Sequence, residues 1–158
     1  MFKYILILVF LILSSATFAQ RKKDLKKNGI KSLTVTETNG TKTITDSKSV
    51  FNSTGQVIEE SKYDKDGVFK STTKFKYNKD GDVIEEIEFD IKKNIKEKRQ
   101  MKYNLLGQKL EEIVVDANNK QIKKFVYSYN DKGFKTERKT LDGKNNLVSV
   151  KKYIYATK

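Results

Sequence analysis

Asn52, Asn78, Asn104 and Asn130 stand 26 residues apart, and each is followed three residues later by a glycine: Gly55, Gly81, Gly107 and Gly133. Midway between them, on the same period, come Asp64, Asp90, Asp116 and Asp142. A fixed period carried by turn-forming residues restricts a chain to tandem supersecondary units. The turns recur at alternating gaps of 12 and 14 residues, which leaves room for strands of eight to ten residues between them and so specifies a run of hairpins. Asn or Asp at the first turn position can bond its own backbone two residues on, and Gly three positions later supplies the positive φ of a bulged turn.

The segments between turns alternate as half-buried strands do, most clearly Phe69-Lys70-Ser71-Thr72-Thr73-Lys74-Phe75-Lys76-Tyr77, where odd positions point inward. Steps of 26 give the columns Phe75, Met101, Tyr127, Tyr153 and Tyr77, Tyr103, Tyr129, Tyr155. A further group, Ile58, Ile84, Leu110 and Thr136, alternates with Tyr63, Phe89, Val115 and Leu141. All are expected to be core ladders, each side chain stacked on its counterpart two strands away. An exposed aromatic stripe for sugars or bases is the alternative, because the phenols need partners. Residues 33–51 read as a degenerate preceding unit with a turn at Asn39-Gly40. Ile91, Ile95, Leu105 and Leu106 among many charges could pass for an amphipathic helix, but the repeat register runs through them and local propensity is a weak prior. Zero prolines agree with uninterrupted ladders. The expected fold is therefore all-β, a tandem-repeat antiparallel β-meander of about ten short strands in an open twisted or curled sheet. Its repeats are 52–77, 78–103, 104–129 and 130–155, within a single domain over 33–158.

The column Glu59, Glu85, Glu111, Glu137 looks chemical at first sight. Four-residue turns, however, would set Glu59 opposite Lys48, Glu85 opposite Lys74 and Lys98, and Glu111 opposite Lys124, which makes these cross-strand ion pairs. Asp64-Lys65-Asp66-Gly67 and Asn78-Lys79-Asp80-Gly81 look like fragments of calcium loops, yet lack the third oxygen ligand and the distant bidentate glutamate. With no cysteine and no histidine, the chain has no disulfide brace, thiolate nucleophile or lipidated cysteine, and no imidazole base, ligand or pH switch. No Ser/His/Asp set, phosphate loop or metal spacing occurs. The expectation is a protein that is not an enzyme, with no catalytic, cofactor-binding or metal residue and no cofactor.

Lys3, the apolar run over 4–13 and the small-residue exit ending at Ala19 form a secretory signal peptide over 1–19. The run is too short for a bilayer span, which needs about 20 residues. Cleavage leaves 139 residues and a formal charge of +12 from +13, with no transmembrane anchor. A basic N-terminal arm over 20–32 carries the densest charge, at 21–27. Surplus Lys favours anionic partners such as headgroups or acidic polysaccharide, or simply keeps strand edges soluble.

Phe75-Lys76-Tyr77-Asn78-Lys79-Asp80-Gly81 and Tyr127-Ser128-Tyr129-Asn130-Asp131-Lys132-Gly133 resemble the Y-x-Y-D/N-x-x-G core of YD repeats, the unit of Rhs proteins, over residues 51–155. Tyr63-Asp64-Lys65-Asp66-Gly67 matches the YD part. The spacing departs from the family, whose repeats recur at about 20 residues or more, and Asn replaces Asp at the Tyr-Asn turns. MORN-like sequences share the Tyr and Gly placement. The resemblance implies strand-turn-strand units and a small, free-standing relative in the cell envelope. The expected function is a secreted or periplasmic, non-catalytic β-repeat module for binding or structural interaction at the cell envelope. Its expected partner is an envelope protein or an anionic glycan, with nucleic acid disfavoured. An electrostatic binder of polysaccharide, lipopolysaccharide or nucleic acid, and a hydrophobic-ligand carrier, are the alternatives.

Overall fold

The computed structural model describes residues 22–156; the expected leader and Arg21 lie outside them. Among the described residues the fold is all-β: ten strands in meander order, antiparallel, in an open sheet and not a closed barrel. Two compact units divide after Val68. The first holds a helical segment at 22–27, β1 (Ser32–Asn39), β2 (Lys42–Phe51) and β3 (Val57–Tyr63). The second holds β4 (Phe69–Tyr77), β5 (Val83–Phe89), β6 (Ile95–Tyr103), β7 (Lys109–Val115), β8 (Gln121–Tyr129), β9 (Lys135–Asp142) and β10 (Leu147–Lys152). The segment that could pass for a helix is β6, so the repeat register prevails over local composition there.

Turn chemistry builds the periodicity. At all eight first turn positions, from Asn52 to Asp142, the side-chain Oδ1 accepts hydrogen bonds from the backbone N–H groups two and four residues on, at 2.8 to 3.1 Å. The residue three positions on takes positive φ each time. Glycine fills that place at 55, 67, 81, 107 and 133, but Lys93, Asn119 and Asn145 fill it in the other three turns. Asn tolerates the left-handed region; Lys there bears the steric cost of its Cβ against the carbonyl. Lys93→Gly is therefore expected to stabilise the protein by about 0.5–1 kcal/mol, after allowing for the greater freedom of glycine in the unfolded chain. Thermal melts of the two proteins check this; an unchanged or lower midpoint would count against strain at Lys93.

In the hairpins β2–β3 and β4–β5 through β9–β10 a bulge follows the turn, and this corrects the expected register. Tyr77 faces Val83 but Lys76 faces Glu85, so Ile84 is the extra residue. Ile58, Leu110 and Thr136 occupy the same place in their hairpins. The column expected as a core ladder is thus the bulge column, and Ile58, Ile84 and Leu110 are exposed. The turn also takes five residues rather than four, since the Asn78 N–H donates to the Asp82 carbonyl. Together these slide each pairing by two. Glu59 lies opposite Val50 and not Lys48; Glu85 opposite Lys76 and Gln100 and not Lys74 and Lys98; Glu111 opposite Lys102 and Val126 and not Lys124. A slip of two keeps every side chain on its face, whereas a slip of one would invert the sheet.

Within the second unit each strand touches only its sequence neighbours, so among the described residues the sheet is a single layer. Domains ordinarily bury one sheet face under a second layer. Among the described residues the buried apolar side chains are Phe51 in the first unit and Met101, Val114 and Val115 in the second, and ladder hydrogen bonds with cross-strand pairs carry the remainder of the stability.

Candidate functional site

The second unit presents two chemically distinct faces. One carries the expected carboxylate column, and there the acids are paired: Lys76 Nζ lies 2.7 Å from Glu85 Oε1, and Glu111 is held by Lys124 at 2.8 Å and Lys102 at 3.4 Å. Lys124 reaches Glu111 along the diagonal, since Ile113 is its direct opposite. The hydrogen bond from Lys124 is the largest cause holding the Glu111 carboxyl below its usual value.

The other face carries the tyrosine columns and a polar network that the sequence reading missed. Its centre is Glu112 on β7, 7 % exposed, between Met101 on β6 and Phe125 on β8. Arg99 Nη1 lies 2.9 Å from Glu112 Oε1, while Lys109 Nζ lies 3.1 Å from Oε2. The Tyr127 hydroxyl completes the set, donating to Oε2 at 3.2 Å. Arg99 also grips Glu97 at 2.6 Å. Glu97 faces Glu88 across the β5–β6 ladder, and Lys96 compensates Glu88 at 2.9 Å. A signal for this network was present in the sequence: Glu59-Glu60, Glu85-Glu86 and Glu111-Glu112 are doubled acids. Adjacent strand residues point to opposite faces, so one acid of each pair must stand on the tyrosine face.

Burial alone would push the Glu112 carboxyl up, but Lys109 and Arg99 together hold it below its usual value. Burial, then the Glu112 charge, pushes the Tyr127 phenol up to about 12. Burial likewise raises Tyr103, with Asp82, Glu86 and Glu112 adding to it, and raises Tyr77, with Glu86 adding. The surroundings thus favour the ionised form of Glu112 and the protonated phenols of Tyr77, Tyr103 and Tyr127. Such an arrangement fixes register and side-chain direction; none of these shifts moves a group toward neutrality, where proton transfer is efficient. The pocket lined by Thr73, Glu86, Glu88, Glu97 and Arg99 has a volume of about 60 Å³, room for a water or two.

The other residues singled out in the sequence are placed as follows. Tyr103, Tyr129 and Tyr155 donate their hydroxyls to the carbonyls of Val83, Lys109 and Lys135, each at 2.9 Å. Those carbonyls belong to the residues just before the bulges, so the tyrosines brace the kinked starts of β5, β7 and β9. Asp64 and Asn78, in the loops with calcium-like spacing, commit Oδ1 to the turn backbone. Among the described residues no group of three or more acids converges as a metal site would require. The basic run is helical at 22–27, and Leu25 lies beside Gly55 of the first Asn turn. Near the C-terminus, Phe134 and Tyr155 stack at 5.1 Å, and Lys135 stands over the rings of Tyr127 at 4.8 Å and Tyr153 at 5.7 Å.

No family model matches the chain, and no curated protein does. Among solved structures it is similar to TarM, at 13 % identity and a TM-score of 0.33 over 86 % of this chain and 23 % of TarM. It is also similar to the GtfA/B complex bound to UDP and GlcNAc, at 12 % identity and a TM-score of 0.31, over 76 % of this chain and 24 % of that one. A protein of unknown function from Bacteroides fragilis gives 15 % identity and a TM-score of 0.16, over 80 % of this chain and 96 % of its own. The chain thus spans about a quarter of the first two structures it matches, and scores this low carry no argument about its role.

Proposed function

We propose that the chain is an exported, non-catalytic β-repeat module that holds a partner protein of the cell envelope, and that the partner adds an extended segment along β10. One observation carries the reading. β10 pairs with β9 on one side, all six of its residues are exposed, and Leu147 and Val148 are 58 % and 64 % exposed. An apolar strand with an unpaired row of N–H and C=O groups is a template for strand addition. β1, a terminal strand of the first unit, is richer in Thr and Ser; both strands carry a bulge, at Val35/Thr36 in β1 and between Leu147 and Ser149 in β10. The greater apolar exposure at Leu147 and Val148 supports β10 as the receptive one.

The test is affinity capture of the mature protein from its own envelope extract at two salt concentrations, beside a Val148→Lys/Val150→Lys variant. A partner held by the wild type between about 50 and 200 mM salt, and reduced at least about tenfold by lysines on the edge, is the expected result. Capture that both proteins lose equally with salt would overturn it. That outcome would favour the second reading, an acidic polysaccharide, whose support is the cation and aromatic cluster of Lys135, Tyr127 and Tyr153 together with the basic charge.

A further inference from the structure

The turn between β6 and β7 is built four times in this chain, and once with the wrong chemistry for a turn. Its two tip residues are Ser53-Thr54, Lys79-Asp80 and Asp131-Lys132 in three copies, but Leu105-Leu106 in the fourth. The backbone geometry is shared. Asn104 Oδ1 accepts from the N–H groups of Leu106 and Gln108, and Gly107 takes positive φ, as in the sister turns. The turn therefore draws nothing from the leucine side chains. Neither do they pack: Leu105 is 106 % exposed and Leu106 81 %. Two adjacent leucines that serve neither the turn nor the core make an apolar tip at the surface.

From this we infer that Leu105 and Leu106 are a membrane-touching tip, which enters the headgroup layer of an anionic phospholipid bilayer. Three features select a lipid surface as the occupant. The tip is the convex end of a hairpin, suited to entering a fluid layer. Its sister tips line up beside it: Gln108 Nε2 donates to the Gly133 carbonyl at 3.3 Å on one side. On the other, Leu105 shares a groove with Lys79 and Asp80. The tip lysines Lys79 and Lys132 are exposed but matched by Asp80 and Asp131, so attraction to an anionic surface comes from the basic charge of the chain as a whole, +13 with the leader and one less without Lys3. A short apolar anchor combined with basic charge is the two-signal arrangement that gives stable yet reversible membrane association. This inference is independent of the β10 reading.

The experiment uses the whole mature chain with vesicles of phosphatidylcholine alone and of phosphatidylcholine with about a third phosphatidylglycerol. Leu105→Ser/Leu106→Thr reproduces the tip already folded at Ser53-Thr54, and its circular dichroism should match the wild type. The wild type is expected to sediment with the anionic vesicles, and the double variant to bind them about tenfold or more weakly. The chain has no tryptophan, so Leu106→Trp gives a single reporter. Its emission should shift to the blue on anionic vesicles, whereas Ile91→Trp, in the turn between β5 and β6, should stay unchanged. Equal binding by the Ser-Thr variant, no shift at position 106, or no binding to either vesicle would each overturn the inference.

Discussion

Glu112→Ala is expected to destabilise the protein by about 2–3 kcal/mol, lowering the melting temperature by roughly 5–10 °C. The substitution removes the carboxylate that Arg99, Lys109 and Tyr127 share. Uncompensated buried charges cost about 3–5 kcal/mol when one partner of a buried pair is deleted; Arg99 is 41 % exposed, so water recovers part of that. Acid dependence gives a second readout. The Glu112 carboxyl lies below its ordinary value of 4.5 in the folded protein, so its contribution is present above that value and is lost as pH falls through the folded one. The variant should accordingly lose less stability than the wild type on acidification below about pH 4.5. A melting temperature within a degree or two of wild type would mean the network contributes nothing.

The same network marks where the sequence was legible and where it was not. Asn52 through Asp142 announced their turns because the physics there is local: an Asx side chain, its own backbone and a residue at positive φ. Lys93 shows the limit, since the turn at Asp90 forms without glycine when the ladders on both sides hold it. Register was less legible. A bulge is set by how a five-residue turn meets the twist of its strands, and Ile84 in isolation looks like any inward-facing aliphatic. Because the resulting slip was two residues, Phe75, Met101 and Tyr127 still share a face while Glu85 found Lys76 instead of Lys74. Glu112 was hardest to read. A glutamate on a strand is ordinarily solvated, and its burial depends on Arg99, Lys109 and Tyr127 arriving from two neighbouring strands and from its own. Leu105 and Leu106 gave a false helical signal that the repeat register overrode, and they stand in open solvent at a turn.

Titration to high pH should unfold the protein through its tyrosines. The Tyr127 phenol, pushed up to about 12 by burial and then by Glu112, must lose its proton against both, and burial raises Tyr77, Tyr103 and Tyr129 in the same direction. In the unfolded chain all four titrate near 10. A folded value above the unfolded one gives stability that is complete below about pH 10 and falls as pH rises through the folded values. For Tyr127 a full two-unit shift would correspond to about 2.7 kcal/mol; with the ring only half-buried, about 1 kcal/mol is a better expectation after solvent screening, and the other three phenols add to it. The last phenolates to form and the loss of strand circular dichroism, followed together from about pH 9 to 12, should therefore coincide. Tyr127→Phe isolates the part played by the phenol, because the variant lacks only the hydroxyl. Its stability should be lower at neutral pH, for want of the hydrogen bond to Glu112, and should fall less steeply above about pH 10. Complete phenolate formation near pH 10 with the strands intact would mean that these four tyrosines are solvated, and a single-layer sheet with solvated tyrosines would have no side-chain ladder to hold its repeats in register.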